Sequence, residues 1–424
     1  MRQFTAFRLQ HVRRVTAACV IALFGGAASP QPASSQTTVP PGTSMTFRLL
    51  DSVASDDPVG RSLRVMTVTP ITVDGALMLA PGAFGRAHVA QADGTHEQRH
   101  AMRIAFDSLD ARGTLLPVTA RVTAVDNARE TVDSAGLIVG PPIGRSLHEK
   151  RTWALMALGV VHPIAAAAFL GIGQLGRHEA DRAIRYPPGT DLVTVLTVPV
   201  TMPLGAPPRT LLQVLSPDSL RVLTRRWPIQ AEAEHGKIGA DLLNIAMLGD
   251  SSAVVVAMHA AGWTTAAPLS TRTDFVTLAR AFERRGYSQQ PVSTLVVNGR
   301  PPAMVFERVT NTFAKRHHVR IWRAEGALRG KAVWLGSASH DVAIAFLADR
   351  RHFTHRIDPQ LDDARDKLAN DLWAVTCIVR RSVMSRTLPA GLRVNDGRDT
   401  VRTDGALVVL QLDPRLCGNR GKLS

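Results

Sequence analysis

Residues 315–323 read KRHHVRIWR, and the conformation of this stretch decides what kind of domain the second half of the chain can build. Val319 and Ile321 lie two apart, as do His318, Arg320 and Trp322. A period of two is that of an extended strand, whose successive side chains leave opposite faces. A strand here puts His318, Arg320 and Trp322 on one face and His317, Val319 and Ile321 on the other. The adjacent histidines then cannot serve one site unless a bulge intervenes.

Downstream, VWLGSASHDVAI (333–344) keeps the same period, setting His340 with Val342, Ile344 and Phe346, and Asp341 with Ala343 and Ala345. In THRID, His355 shares a face with Ile357. His317, His340 and His355 thus each head an apolar stripe, while His318, Arg320 and Asp341 belong to the opposite faces. Two chemistries and one structural reading follow. If the strand ends converge, the three imidazoles His317, His340 and His355 hold zinc or a similar divalent ion with one position open for an activated water. Alternatively, His318 and Asp341 form a base and its orienting carboxylate, with Arg320 gripping an anionic substrate group. In the structural reading the histidines bond carbonyls at the rim of a core, and Asp341 pairs with Arg320.

Around this stretch the texture from about Ala231 is one of alternating strands and helices. LLNIAML (242–248) predicts a strand and Ser251 or Ser252 the cap of the helix behind it, because a hydroxyl accepts from an orphan NH of a first turn. The string LGDSS also resembles the serine block of GDSL-type hydrolases, with Ser251 as nucleophile and Asp349 and His352 as partners, but a serine at such a junction reads first as a cap. Asp358 before Pro359 predicts a second helix opening at the proline, with Leu361, Ala364, Leu368 and Leu372 as its buried stripe. Asp362 and Asp366 share a face four apart beside Arg365, a solvated face rather than a cation site.

The runs AMHAAGWTTAAPLSTRTDF (257–275), RRGYSQQPVSTLVVNGRPPAMVFERV (284–309), RHHVRIWR, VWLGSASHDVAI and THRIDPQLDDARDKLANDL (354–372) resemble, in order and spacing, the LssY C-terminal domain family over about residues 240–375. The resemblance implies an envelope-associated domain, often attached to membrane phosphatase-like or other membrane domains. This chain carries β segments in their place, so the activity of those companions is not carried over.

Upstream, VPPGTSMTFRLLDSV (39–53) and YPPGTDLVTVLTVPV (186–200) repeat a Pro-Pro-Gly-Thr turn feeding a strand. Short alternating segments between them predict an antiparallel β module that resembles the PxGT-type modules of exported envelope proteins. No acid, base or nucleophile cluster stands out there. Residues 153–172, WALMALGVVHPIAAAAFLGI, are apolar over the length of a bilayer and allow a span, a hairpin dipping into a membrane, or a buried helix. At the N-terminus, Arg2, Arg8, Arg13 and Arg14 precede the apolar run 15–28, as in a secretory signal peptide. Export leaves Cys377 and Cys417 as a candidate disulfide.

With 424 residues, the chain is long enough for two or three domains. Its net charge of +15 does not make it a nucleic-acid binder, because the charge is arginine scattered over every segment, without a stripe or interleaved aromatics. The sequence predicts an α+β protein: signal peptide 1–29, linker 30–37, antiparallel β module 38–140, hydrophobic helical segment 153–172, a PPGT strand within 184–204, and a C-terminal α/β domain with a mixed sheet over 231–413. The function expected is that of an exported, membrane-associated envelope protein, binding an anionic ligand, a protein partner or other envelope components. The alternative is a metal-assisted hydrolase of a phosphoester-type or other anionic substrate.

Overall fold

In the computed structural model, residues 36–96, 99–140, 183–203, 227–233, 239–266, 295–312, 315–347, 352–388 and 401–418 are described. The expected signal peptide, most of the linker and the hydrophobic segment 153–172 lie outside the described residues. Among the described residues no helix is long and apolar enough to cross a membrane. They are mostly strand, with two α-helices where the sequence suggests a fuller alternation of strands and helices. The linker also ends early, since Gln36–Val39 is already a strand, paired with Val200–Pro203.

The N-terminal domain is built on nine strands: β1 (Ser44–Leu49), β2 (Ser62–Thr67), β3 (Phe84–His96), β4 (Arg99–Ala111), β5 (Thr114–Pro117), β6 (Ala120–Val125), β7 (Thr131–Val132), β8 (Ile138–Val139) and β9 (Asp191–Leu196). They run in the order β6-β9-β1-β2-β3-β4-β8-β7, with β5 beside β4. The strands fed by the two PPGT repeats are neighbours toward one edge of this sheet. β1 and β9 are antiparallel neighbours, and each turn closes on the end of the other strand: Gly42 N donates to Leu196 O at 2.8 Å, and Gly189 N donates to Leu49 O at 2.7 Å. Both glycines have positive φ, 85° and 95°, which a Cβ would resist, so the repeated glycine is a requirement of the turn. Phe47, Leu49, Leu63, Met102, Leu109 and Leu192 form part of the core beneath.

The C-terminal domain adds β10 (Ile245–Leu248), α1 (Ser251–Ala260), β11 (Thr264–Thr265), β12 (Met304–Arg308), β13 (Arg316–Leu328), β14 (Lys331–Leu347), β15 (His352–Ile357), α2 (Leu361–Ala374), β16 (Ile378–Met384) and β17 (Leu407–Leu412). The order is β11-β12-β13-β14-β10-β17-β16, with β15 beside the far end of β14. β10 and β17 are parallel, and every other pair is antiparallel, so the sheet is mixed. α1 and α2 cover one face through Val254, Met258, Leu368 and Leu372. Trp227, Ala231, Ala240 and Leu295 help to cover the other. With both faces covered, β13 is buried continuously from Arg316 to Trp322. Its polar side chains are therefore interior on both sides.

Two capping expectations are corrected. Asp250, not Ser251 or Ser252, caps α1: its carboxylate accepts from Ala253 N at 2.7 Å, and Ser252 donates to that carboxylate. α2 opens at Leu361 rather than at Pro359, and Asp358 instead accepts from Gln360 N at 2.9 Å. The expected stripe Leu361, Ala364, Leu368 and Leu372 is buried. Cys377 and Cys417 form a disulfide.

The domains are joined by a buried ionic cluster. Arg48 and Asp191 are opposite each other across β1 and β9 and pair at 2.8 Å; Arg48 also reaches Asp371 of α2 at 2.7 Å. Lys367 of α2 returns to Asp191 at 2.6 Å, and Trp263 Nε1 donates to Asp371 at 3.0 Å. Burial alone would push the Asp191 carboxyl up, but Arg308, Arg48 and Lys367 outweigh it and hold it well below the usual range.

Candidate metal centre

Beside this cluster, the turn after β6 carries Asp126 and Asn127 onto the C-terminal domain. Thr310 Oγ1 donates to Asp126 O at 2.8 Å, and Asn127 Nδ2 donates to Arg308 O at 3.0 Å. Asn127 sits at φ 53°, a left-handed conformation that asparagine tolerates better than most residues. The turn meets β13 and β14 where His317 and His340 pair directly across the ladder. Their rings stack with centroids 4.0 Å apart, and Trp263 lies 6.4 Å from His317. His317 Nε2 is 3.0 Å from Asp126 Oδ1, and His340 Nε2 is 3.0 Å from Asn127 Oδ1. One donor atom from each of Asp126, His317 and His340 falls within 4.8 Å of the others.

The electrostatics of the trio are set by burial and by neighbouring charge. Burial first, then His317, pushes His340 down to about 4, so its ring is neutral at pH 7. Burial would raise Asp126, but His317 and Lys367 outweigh it and keep the carboxylate ionised. Because Asn127 spends its NH2 on Arg308, its oxygen takes the proton on His340 Nε2. His340 Nδ1 then faces Asp358 Oδ2 at 3.4 Å without a proton to offer. His317 Nδ1 is buried with no hydrogen-bond partner.

The opposite face holds His318, Arg320 and Asp341 together, as the strand parity requires. His318 Nε2 accepts from Ser339 Oγ at 2.7 Å and from Arg320 Nη1 at 2.9 Å, and its Nδ1 lies 3.5 Å from Asp341 Oδ2. Arg320 is bound to Asp241 at 2.6 Å, and Arg316 takes Asp341 at 2.9 Å. Arg316 also pairs with Glu307 at 3.4 Å. Every one of these seven residues is buried. Burial, the largest influence, lowers the His318 pKa, and the imidazole is neutral. Serine, histidine and aspartate are in catalytic order here, yet the lone pair a base would use is already occupied by two donors. Arg320, expected to grip substrate, is committed to Asp241.

Of the expected metal trio, His317 and His340 come together and His355 does not. His355 pairs with Ile344, four residues along β14 from His340, about 13 Å at strand spacing. The structure offers Asp126 in its place, from the domain where no acid cluster stood out in the sequence. A strand followed by Asp-Asn is a common turn, so the sequence carries no sharper signal for it. Ser339 and Asp358 were likewise hidden, one as a strand residue and the other as a cap. Of the GDSL-like set, Ser251 is exposed at the start of α1, and Asp349 lies outside the described residues.

A mixed-sheet domain covered by two helices, in contact with a β domain, defines the class: a two-domain β-rich protein with two stacked histidines at the junction. Residues 224–407 match the family model described as the LssY C-terminus. The matched segment extends beyond both ends of the stretch that carried the resemblance in the sequence. No curated protein matches the chain.

Proposed function

We propose that the chain is an exported cell-envelope protein whose LssY-like domain is a binding module for an anionic ligand or a protein partner, with residues 153–172 as the stretch that would hold it to a membrane. One observation carries the binding reading. The acid–base set His318, Arg320, Asp341 and Ser339 is buried and spent on internal partners, so it lacks the open approach a base needs toward a substrate proton. The Cys377–Cys417 bond supports export, since such bonds persist in oxidising compartments. The excess of 50 basic over 35 acidic residues favours an anionic ligand.

A second reading, hydrolysis of a phosphoester-type or other anionic substrate, is favoured by the 2.7 Å contact between Ser339 and His318. Purified protein is assayed against phosphomonoester, phosphodiester and carboxylester substrates, with His318→Ala alongside, and challenged with a fluorophosphonate. No turnover and an unlabelled Ser339 are expected. Turnover lost in His318→Ala, or labelling of Ser339, would replace the binding module by the hydrolase. Fractionation of a host bacterium with a periplasm, followed by thiol alkylation, tests export: protein in the cytoplasm with both cysteines alkylated would sink it.

A further inference from the structure

We infer that Asp126, His317 and His340 form a binding site for a divalent transition ion of the zinc class, assembled only where the two domains meet. The inference rests on the junction alone and goes beyond the binding-module reading, which stands or falls without it.

Two imidazoles and one carboxylate are the donor set of three-ligand zinc sites, in which a fourth position is left to water or ligand. The three donor atoms lie within 4.8 Å of one another. Around zinc, with each ligand about 2.1 Å away, tetrahedral donors sit roughly 3.4 Å apart, so the widest pair would close by at most about 1.4 Å. The rings are already stacked, 4.0 Å between centroids and 23° between planes, both fixed by the β13–β14 register.

His340 Nδ1 is poorly satisfied without an ion, and an ion on Nε2 would change that. With the Nε2 hydrogen on Asn127 Oδ1, His340 turns Nδ1 toward Asp358 at 3.4 Å. An ion on Nε2 moves that proton to Nδ1, which then donates to Asp358. This is the carboxylate–histidine–metal arrangement that orients a ligand and raises its basicity. His317 spends one nitrogen on Asp126 and has the other, Nδ1, buried and unpartnered. The ring can therefore present a nitrogen to an ion at the expense of a single hydrogen bond. No bond is oxidised or reduced: on His340 the proton changes nitrogen, and on His317 the proton that Nε2 shares with Asp126 passes to Nδ1 or is released to water as the ion binds.

Lys367 opposes the site, with Nζ at 3.4 Å from Asp126 Oδ2. Its nearer partner is Asp191 at 2.6 Å, and Asp371 lies at 3.7 Å. Lys367 is thus neutralised mainly from the other side, and Asp126 Oδ1, the oxygen facing His317, remains for the ion. The histidine and carboxylate donors suit zinc, and the same facial set also accepts iron(II), so the ion is identified by measurement.

The purified full chain is loaded with zinc, dialysed without chelator and analysed for metal. It should retain one zinc per chain, and Co2+ loading should give the intense visible bands of a low-symmetry site. Asp126→Asn, His317→Ala and His340→Gln should each lower retention by about tenfold or more, whereas His355→Ala and Ser339→Ala retain it fully. Circular dichroism identifies any variant that fails to fold, and the thermal midpoint of the native chain with zinc against chelator gives a readout independent of variants. Zinc should raise that midpoint. No retained metal together with an unshifted midpoint overturns the site. So does zinc retained equally by folded Asp126→Asn and His340→Gln, or zinc lost in His355→Ala. A chain that holds zinc yet turns over no substrate leaves both proposals standing; turnover without bound metal removes the zinc site and the binding reading separately.

Discussion

On one face of the β13–β14 ladder, His318 lies among Ser339, Arg320 and Asp341; on the other, one residue away, His317 stacks on His340 beside Asp126. The chemistry of the two faces is almost the same, and the strand register delivers both. What separates them is the cover. The first face is roofed by residues of its own domain, with Asp241 supplying the counter-charge, so most of its polar atoms are drawn into a closed network. The second is roofed in part by the neighbouring domain, and its polar atoms are met by a turn rather than a packed layer. Ligand-binding groups are more often found at such a seam than inside a filled core.

The contrast breaks most severely at the seam itself. Arg48→Ala removes one of the two cations that Asp191 and Asp371 share and leaves both carboxylates under-compensated in the interior, and should destabilise the protein by about 3–5 kcal/mol in urea unfolding. A loss below about 1 kcal/mol would mean the domains are not held by this cluster.

Acid should loosen the same seam. The folded-state pKa of Asp191 lies below its ordinary value of 3.8, so the stability it contributes is fully present above that value. It is lost as pH falls below about 3.8 toward the lower folded-state value. Urea midpoints at pH 5 and pH 3 should fall with pH, and Asp191→Asn should flatten that dependence.

A smaller change sharpens the open face. Asp358→Asn weakens the partner of His340 Nδ1 and should reduce zinc affinity by roughly tenfold in competition titration with a chelating dye, with the fold unchanged. The smallest belongs to the closed face. Ser339→Ala removes one of two donors to His318 Nε2 and should lower stability by about 1 kcal/mol without altering zinc content. Equal effects of these two variants on zinc would erase the distinction between the faces.

Much of this was legible in the chain as letters. Period-two spacing sorted His317 and His340 from His318, Arg320 and Asp341, because strand geometry is local. The repeated PPGT announced two like turns, although not that each would close on the other's strand. Asp126 stayed hidden because its partner His317 lies 191 residues away, and only the docking of two domains brings them together. The cover over both faces of β13 was equally out of reach: alternation says which side chains face together, not what is packed upon them. His355 shows the same limit, since parity alone gave its face but not its position along β14.

The stretch 141–182 leaves the β domain at Gly140 and returns at Ala183. Gly140 N donates to His100 O at 2.8 Å, and a Cβ placed on Gly140 would come 3.7 Å from Ile184 Cγ1, so exit and re-entry are adjacent. Past it, β9 completes the sheet that β1 began. Departure and return therefore lie side by side on one domain, and would share one aqueous side were the stretch to enter a membrane. An excursion tethered at both ends in this way can bury apolar residues in lipid only as a monotopic loop or an even number of passes, and a protease acting from the far side would never meet the folded domains.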